Sequence, residues 1–314
     1  MLNQTSQMLV VKRSTSLALR LRTAFLLAPA VAAWCYFAPG PVAEAAEQER
    51  QVAGIGIVLM QVPMGTFQMG SRRSEEGRKP DEGPLTTVSF TYSFWIGKYE
   101  ITQEQYRTLA DEYSNLDEDP SFFRGERMMK EGLRDFGNEP RRPVENVTWE
   151  QATNFCAMLT KRERARIPQD YEFRLPTEAE WEYACRSGTT NSFSFGDGGK
   201  SLGEYAWFKG NSGGQPQPVG KKKPTSWGLY DMHGNIMEWC LDWYGPNLPG
   251  GSVTNWMGPP AGTERVLRGG GWANDNPANF RCADRWRQPP ATKGNGYGFR
   301  IVLAPTVESL RKKQ

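Results

Sequence analysis

From Ile57 onward, apolar and polar residues alternate in short bursts rather than in long periodic runs. Val58-Leu-Met-Gln-Val-Pro-Met-Gly-Thr-Phe-Gln-Met-Gly70 reads as two strands around a Pro-Met-Gly turn, and Thr86 to Tyr99 alternates well enough for a strand pair. Three places switch to a helical period, each led by a Thr with Gln or Glu three residues on: Thr102…Gln105, Thr148…Gln151 and Thr177…Glu180. That spacing lets hydroxyl and side-chain carbonyl satisfy free backbone N–H groups reciprocally, so all three predict helix N-termini. The second helix should run to about Arg164 and bury Ala152, Phe155, Cys156 and Leu159, which recur at i, i+3, i+4, i+7. The third is short, ends near Ser187-Gly188 and turns Trp181, Ala184 and Cys185 inward.

Asp111 to Arg142 has no clean period and reads as an irregular insertion. Beyond Phe193 little regular structure is expected apart from a strand at Arg265–Arg268. Turn clusters such as Gly196-Asp-Gly-Gly199, Gly210-Asn-Ser-Gly-Gly214 and Pro216-Gln-Pro218 dominate there. Loops this rich in Gly need an anchor, either bound cations or buried tryptophans.

No period of 20 to 50 residues repeats. The expected organisation is α+β: one domain over 57–305 with mixed or antiparallel short strands, about three helices and long loops, a linker over 46–56 and a tail over 306–314. Lys12, Arg13, Arg20 and Arg22 precede an apolar run from Ala24 to Phe37, and Ala43-Glu-Ala45 is a small-x-small site, so residues 1–45 read as a cleavable secretory signal. The run falls short of the ~20 residues of a comfortable membrane span, which leaves an uncleaved anchor as the rival reading. Periplasmic or secreted localisation follows. Without its four basic residues and Glu44, the rest of the chain carries 34 basic and 34 acidic residues, which removes the electrostatic basis for nucleic-acid binding. Lys221-Lys-Lys223 beside Pro224 is read as a solvated turn.

Two blocks stand apart from these patterns. Trp227-Gly-Leu-Tyr-Asp-Met-His-Gly-Asn-Ile-Met-Glu-Trp-Cys240 follows no simple period, and Arg265-Val-Leu-Arg-Gly-Gly-Gly-Trp272 leads to Gly298-Phe-Arg300. With Arg174-Leu-Pro-Thr-Glu-Ala-Glu-Trp-Glu-Tyr-Ala-Cys-Arg186, they resemble the formylglycine-generating enzyme (sulfatase-modifying factor) family, which includes the pyoverdine maturation protein and the catalytic domain of hercynine synthases. The resemblance implies a C-type-lectin-like fold.

Four cysteines remain once Cys35 leaves with the signal, an even count that suggests pairing in an oxidising compartment. The resemblance implies a disulfide between Cys185 and Cys282, with Cys156 and Cys240 as buried thiols. It also implies structural calcium, one ion at Asn211 and Ser212 and another at His233, Gly234, Ile236 and Glu238. Hard oxygens and exposed carbonyls suit that ion. The rival readings are that Glu238 pairs with an arginine and that His233 is an ordinary polar loop residue.

Oxidising members of the family hold Cu(I) between two cysteines a few residues after a Gly-Gly-Ser-Tyr phrase. Here Gly271 stands at the Ser and the following Ala273, Asn274, Asp275 and Asn279 include no thiol, so copper is not expected. Iron held by three histidines, as in hercynine-type members, is not expected either, because His233 is alone.

Three functions therefore stay open: a tailoring or maturation oxidoreductase without the copper pair, a calcium-stabilised binding or accessory module for periplasmic enzyme maturation, and a true formylglycine-generating oxidase acting on a sulfatase cysteine. The partner would be a small molecule or a peptide, and the chain a monomer. Glu238, Asp275 and Asp284 are the candidates for acid/base work, and Arg281 and Arg285 for setting substrate charge. Trp239, Trp272, Asn274, Asn276 and Trp286 are expected to line the cleft, with Arg287 beside them. A shifted carboxylate in an apolar, aromatic pocket would favour an enzyme, and an exposed aromatic-arginine face would favour binding.

Overall fold

Each predicted capping box begins a helix. α1 (Gln103–Ala110), α2 (Trp149–Glu163) and α3 (Glu178–Arg186) follow Thr102, Thr148 and Thr177, whose hydroxyls accept from the N–H three residues on while the Gln or Glu side chain there accepts in return. The computed structural model describes residues 48–117, 119–124 and 139–312. The signal-like segment 1–45 and residues 125–138 of the expected insertion lie outside the described residues. No helix among those described is long and apolar enough to cross a membrane.

α2 buries Ala152, Phe155, Cys156 and Leu159 as the spacing predicts. α3 stops at Ser187, which takes a left-handed conformation at φ 46°. Unlike a one-faced helix, α3 is buried along its whole length. Its three glutamates therefore need partners inside the protein. Glu180 receives both terminal nitrogens of Arg174, at 2.7 and 2.8 Å, and the Tyr92 hydroxyl at 2.7 Å.

The strands are β1 (Glu49–Val52), β2 (Ile57–Val62), β3 (Gly65–Met69), β4 (Thr86–Phe90), β5 (Phe94–Gly97), β6 (Tyr171–Arg174), β7 (Met237–Trp243), β8 (Gly251–Thr254), β9 (Arg265–Arg268), β10 (Trp286–Gln288), β11 (Tyr297–Gly298) and β12 (Val302–Pro305). They form three sheets, ordered β1-β2-β5-β12-β6, β10-β9-β7-β11 and β3-β4-β8. The expected strand pairs exist as strands but do not pair within themselves. β2 joins β5 while β3 joins β4, so both connections carry the chain from one sheet to another. Pro63, which has no N–H to donate to a ladder, sits at the first crossing.

Three expectations change. The segment expected as a linker contains β1, paired with β2 from Glu49↔Met60 to Val52↔Ile57. The expected tail contains α5 (Val307–Arg311), capped by Thr306, while α4 (Leu202–Tyr205) lies in the region expected to be irregular. The aperiodic block ends in β7, where Met237, Glu238, Trp239 and Cys240 are all buried. Burial on both faces erases the alternation that would have marked a strand.

Candidate functional site

β7 forms the floor. It pairs antiparallel with β9, Glu238 opposite Arg268, and parallel with β11, Met237 opposite Tyr297 and Gly298 opposite Glu238. After β9 the chain turns sharply through Gly269 and Gly270, both at positive φ, into a turn that closes on itself. The Asn274 carboxamide oxygen accepts from Gly271 N–H at 2.8 Å and Asn274 N–H donates to the Gly271 carbonyl at 3.0 Å.

A cleft of about 340 Å³ opens over this floor, walled by Trp272, Asn274, Trp286 and the segment from Thr292 to Tyr297. Trp272 is fixed by its indole N–H on the Asn295 carbonyl, 3.0 Å, and by Phe123 edge-on at 5.3 Å. Lys293 is the one charged side chain among the lining residues, and neither a carboxylate nor a thiol is among them. Trp286 also lines a second cleft of about 560 Å³ together with Lys79, Asp81, Tyr244, Glu264, Arg285 and Arg287. There Lys79 Nζ lies 4.6 Å from the Trp286 ring centre, and Arg285 and Arg287 stack on Tyr244 at 4.8 and 4.4 Å. The indole N–H of Trp286 is buried and has no hydrogen-bond partner.

The expected cleft residues divide accordingly. Trp272, Asn274 and Trp286 line the site, whereas Trp239 is wholly buried with its N–H on the Val147 carbonyl at 3.0 Å. Asn276 caps the 3-10 turn Pro277–Phe280 and borders a separate hollow. Tyr297, Lys293 and Asn295 were not anticipated, although Gly294-Asn-Gly296 is turn chemistry just before an aromatic.

The expected acid, base and charge-setting groups are placed differently. Asp275 is exposed and pairs with the equally exposed Lys209 at 3.1 Å. Arg281, Asp284 and Arg285 are buried in a layer of ion pairs. Arg281 bridges Glu75 and Glu82, Asp284 faces Lys79 at 2.7 Å, and Arg285 clasps Glu178 at 2.6 and 2.8 Å. Burial alone would raise the Glu178 carboxyl, but the guanidinium groups of Arg285 and Arg268 outweigh it and hold the pKa below the usual value. Of this set, Arg285 reaches the wall of the larger cleft, and Arg281 borders the separate hollow beside Asn276.

Glu238 gives both oxygens to Arg300, at 2.6 Å each, and one also accepts from Trp181 Nε1 at 2.8 Å. A guanidinium in that position repels a cation, so the carboxylate as placed does not fit calcium. Two of the other proposed oxygens are also engaged. Asn211 Oδ1 accepts from Phe208 N–H and the Ser212 carbonyl from Gln217 Nε2, and His233 turns its ring inward. Asn235, at φ 71°, ties the loop at Gln217 to the floor. Its side chain bonds Glu100 and both backbone groups of Gln217, and its carbonyl accepts from Trp272 N–H at 2.7 Å. Glu238→Gln should accordingly lower stability by roughly 3 kcal/mol, because it leaves Arg300 buried without its counter-charge. The melting temperature should fall equally in calcium and in chelator, and a loss confined to calcium would restore Glu238 as a ligand.

The four cysteines among the described residues are buried thiols. Cys185 and Cys282, expected as a disulfide, face each other unbonded at 3.5 Å.

The family model described as "Sulfatase-modifying factor enzyme 1-like domain" matches residues 42–305. Serine/threonine-protein kinase pkn1 of Chlamydia caviae is 34% identical over 250 residues, which cover 76% of this chain and 36% of that protein. The chain thus spans about a third of the length of that relative. Among solved structures, Treponema denticola variable protein 1 is similar with a TM-score of 0.68 and 30% identity, covering 82% of this chain and 98% of its own. PvdO from Pseudomonas aeruginosa is similar with a TM-score of 0.67 and 26% identity, covering 81% and 97%.

Proposed function

The chain belongs to the sulfatase-modifying factor enzyme 1-like family, and from that premise we propose that it is an exported recognition module for protein maturation that works without copper oxidase chemistry. The observation that carries this reading is Trp286, whose indole ring forms the wall shared by two clefts, with Lys79 Nζ 4.6 Å from its centre. Lys293 on one wall, and Lys79 and Arg287 on the other once exchanged from Asp284 and Glu264, favour a partner that presents a carboxylate or another anion beside an aromatic or apolar group.

Catalysis is less well supported by the same walls. Copper would need two close thiolates, and the turn that should carry them offers the Asn274 carboxamide, already tied to Gly271. The carboxylates of the larger cleft are engaged, Glu264 by Arg287 at 2.9 Å and Asp81 by the Tyr244 hydroxyl at 2.8 Å. A tailoring enzyme is the second reading, favoured by the likeness to PvdO over 81% of the chain.

A peptide screen separates the readings. The purified protein is incubated with oxygen, Cu(I), a Cys-x-Pro-x-Arg peptide and a panel of acidic and neutral peptides, and both binding and peptide mass are followed. Binding of acidic peptides, weakened about tenfold or more by Trp286→Ala and with every peptide mass unchanged, is the expected result. An aldehyde product would make the chain a formylglycine-generating oxidase, and any other mass change would establish a tailoring enzyme.

A further inference from the structure

Cys185 at the end of α3, His233 in the loop before β7, and Cys282 after the 3-10 turn Pro277–Phe280 are buried together. Their ligating atoms all lie within 4.8 Å of one another. Cys185 Sγ is 3.5 Å from Cys282 Sγ and 3.9 Å from His233 Nε2. With metal–sulfur bonds of about 2.3 Å and metal–nitrogen bonds of about 2.0 Å, a tetrahedral zinc ion holds neighbouring ligands roughly 3.5–3.8 Å apart. The sulfur pair already has that spacing, and the imidazole needs only a small side-chain adjustment.

The imidazole is also oriented for ligation. His233 Nδ1 lies 2.8 Å from the Phe280 carbonyl oxygen, which can only accept, so Nδ1 carries the proton and Nε2, 3.9 Å from Cys185 Sγ, keeps the lone pair, which now accepts from Ser194 N–H at 3.2 Å. A ring nitrogen fixed by a backbone carbonyl is the usual outer support of a metal-binding histidine. Phe193 and Phe195 stand edge-on to the ring at 5.8 and 5.2 Å and restrict its rotation. Ser194 Oγ, 2.8 Å from Nε2, and Ser194 N–H, 3.2 Å from it, hold that nitrogen in the metal-free protein and are the contacts an ion would displace.

We propose that Cys185, His233 and Cys282 in the reduced protein bind one zinc-class divalent cation. Binding releases the two thiol protons to solvent and forms two metal–sulfur bonds and one metal–nitrogen bond. Two thiolates and a neutral imidazole cancel the charge of a divalent ion, so the occupied site leaves no net charge in the interior. A monovalent soft ion such as Cu(I) would leave one negative charge to be desolvated. Oxidation of the same sulfurs to a disulfide removes two electrons and both anionic ligands, so metal and disulfide exclude each other. The site would join α3 to the closing segment and to the loop that feeds β7.

The test uses the whole protein, purified under reducing conditions, stripped with chelator, then titrated with Zn²⁺ and separately with Co²⁺. One zinc per chain should survive gel filtration, and cobalt should give a thiolate-to-metal charge-transfer band in the near ultraviolet. Oxidation to the disulfide should abolish both signals and reduction should restore them. Cys282→Ser and His233→Asn should each weaken retention by about tenfold or more. Reduced wild type that takes up no zinc and gives no cobalt band would overturn the proposal. A band that persists in Cys185→Ser/Cys282→Ser would also overturn it, since Cys156 or Cys240 would then be the ligand. If the variants do not fold, the oxidation cycle on wild type decides alone.

Discussion

Arg268→Ala should cost the domain roughly 3–5 kcal/mol, or prevent folding altogether. Arg268 has no exposed surface and lies between two carboxylates of α3, pairing with Glu178 at 3.3 Å and with Glu182. It also donates to the Cys282 and Asp284 carbonyls at 2.8 and 2.5 Å, so one side chain ties β9, α3 and the closing segment together. Its removal leaves Arg186 and the Gly70 N–H as the remaining partners of Glu182 and strands two backbone acceptors in the interior. Lysine would keep the charge but not the fork of donors, so Arg268→Lys should also lose most of that stability. Arg287→Ala is the control. That arginine is 47% exposed and its partner Glu264 36%, so the change should stay within about 1 kcal/mol. Urea unfolding of the three variants checks the order, and an Arg268→Ala loss below that of Arg287→Ala would refute this account.

Gly298→Ala is the second large effect. A methyl group there would overlap the Val144 carbonyl oxygen and the Ile236 Cδ1 atom, and the first, being backbone, cannot swing aside. Forcing one carbon into a packed interior costs typically 1–3 kcal/mol, and here the upper part of that range is expected. Because Gly298 pairs with Glu238 and its neighbour Tyr297 with Met237, the strain should also shift the cleft floor. Peptide binding should therefore weaken along with the urea midpoint. Gly296→Ala is the matched comparison two residues away, where the nearest atom is Trp272 Nε1 at an ordinary 3.6 Å and little change is expected. Equal losses in the two variants would mean that the overlap is relieved by movement.

The helices were legible because capping is local. Thr102, Thr148 and Thr177 each declare a helix start within four residues, and nothing distant overrides them. β7 was not legible, because its signal depends on Glu238 being buried, which depends in turn on Arg300, more than sixty residues away. The same blindness affected Arg281, Asp284 and Arg285. Charged residues in one aromatic-rich stretch suggest a site, and the partners that make them structural, Glu75, Glu82, Lys79 and Glu178, all come from earlier in the chain. Trp272, Asn274 and Trp286 share one cleft wall in the structure, and the sequence grouped them only through the family resemblance of their segment. His233, expected as a polar loop residue or a calcium ligand, is fully enclosed beside two thiols. One histidine in a glycine-rich turn gives no indication of what folds against it.

The position of β12 governs when this protein can become native. It inserts between β5 and β6, so a sheet otherwise built from residues before 175 lacks the strand that joins β6 to the rest until Val302–Pro305 arrives. A nascent chain can pair β1-β2-β5 and β3-β4 from its early residues, but it cannot complete the five-stranded sheet. Its edges at Ile96 and Arg174, the partners of Val302, wait unpaired through the synthesis of everything between. Pairings across such sequence distances are slow to form, and an open strand edge attracts other chains in the meantime.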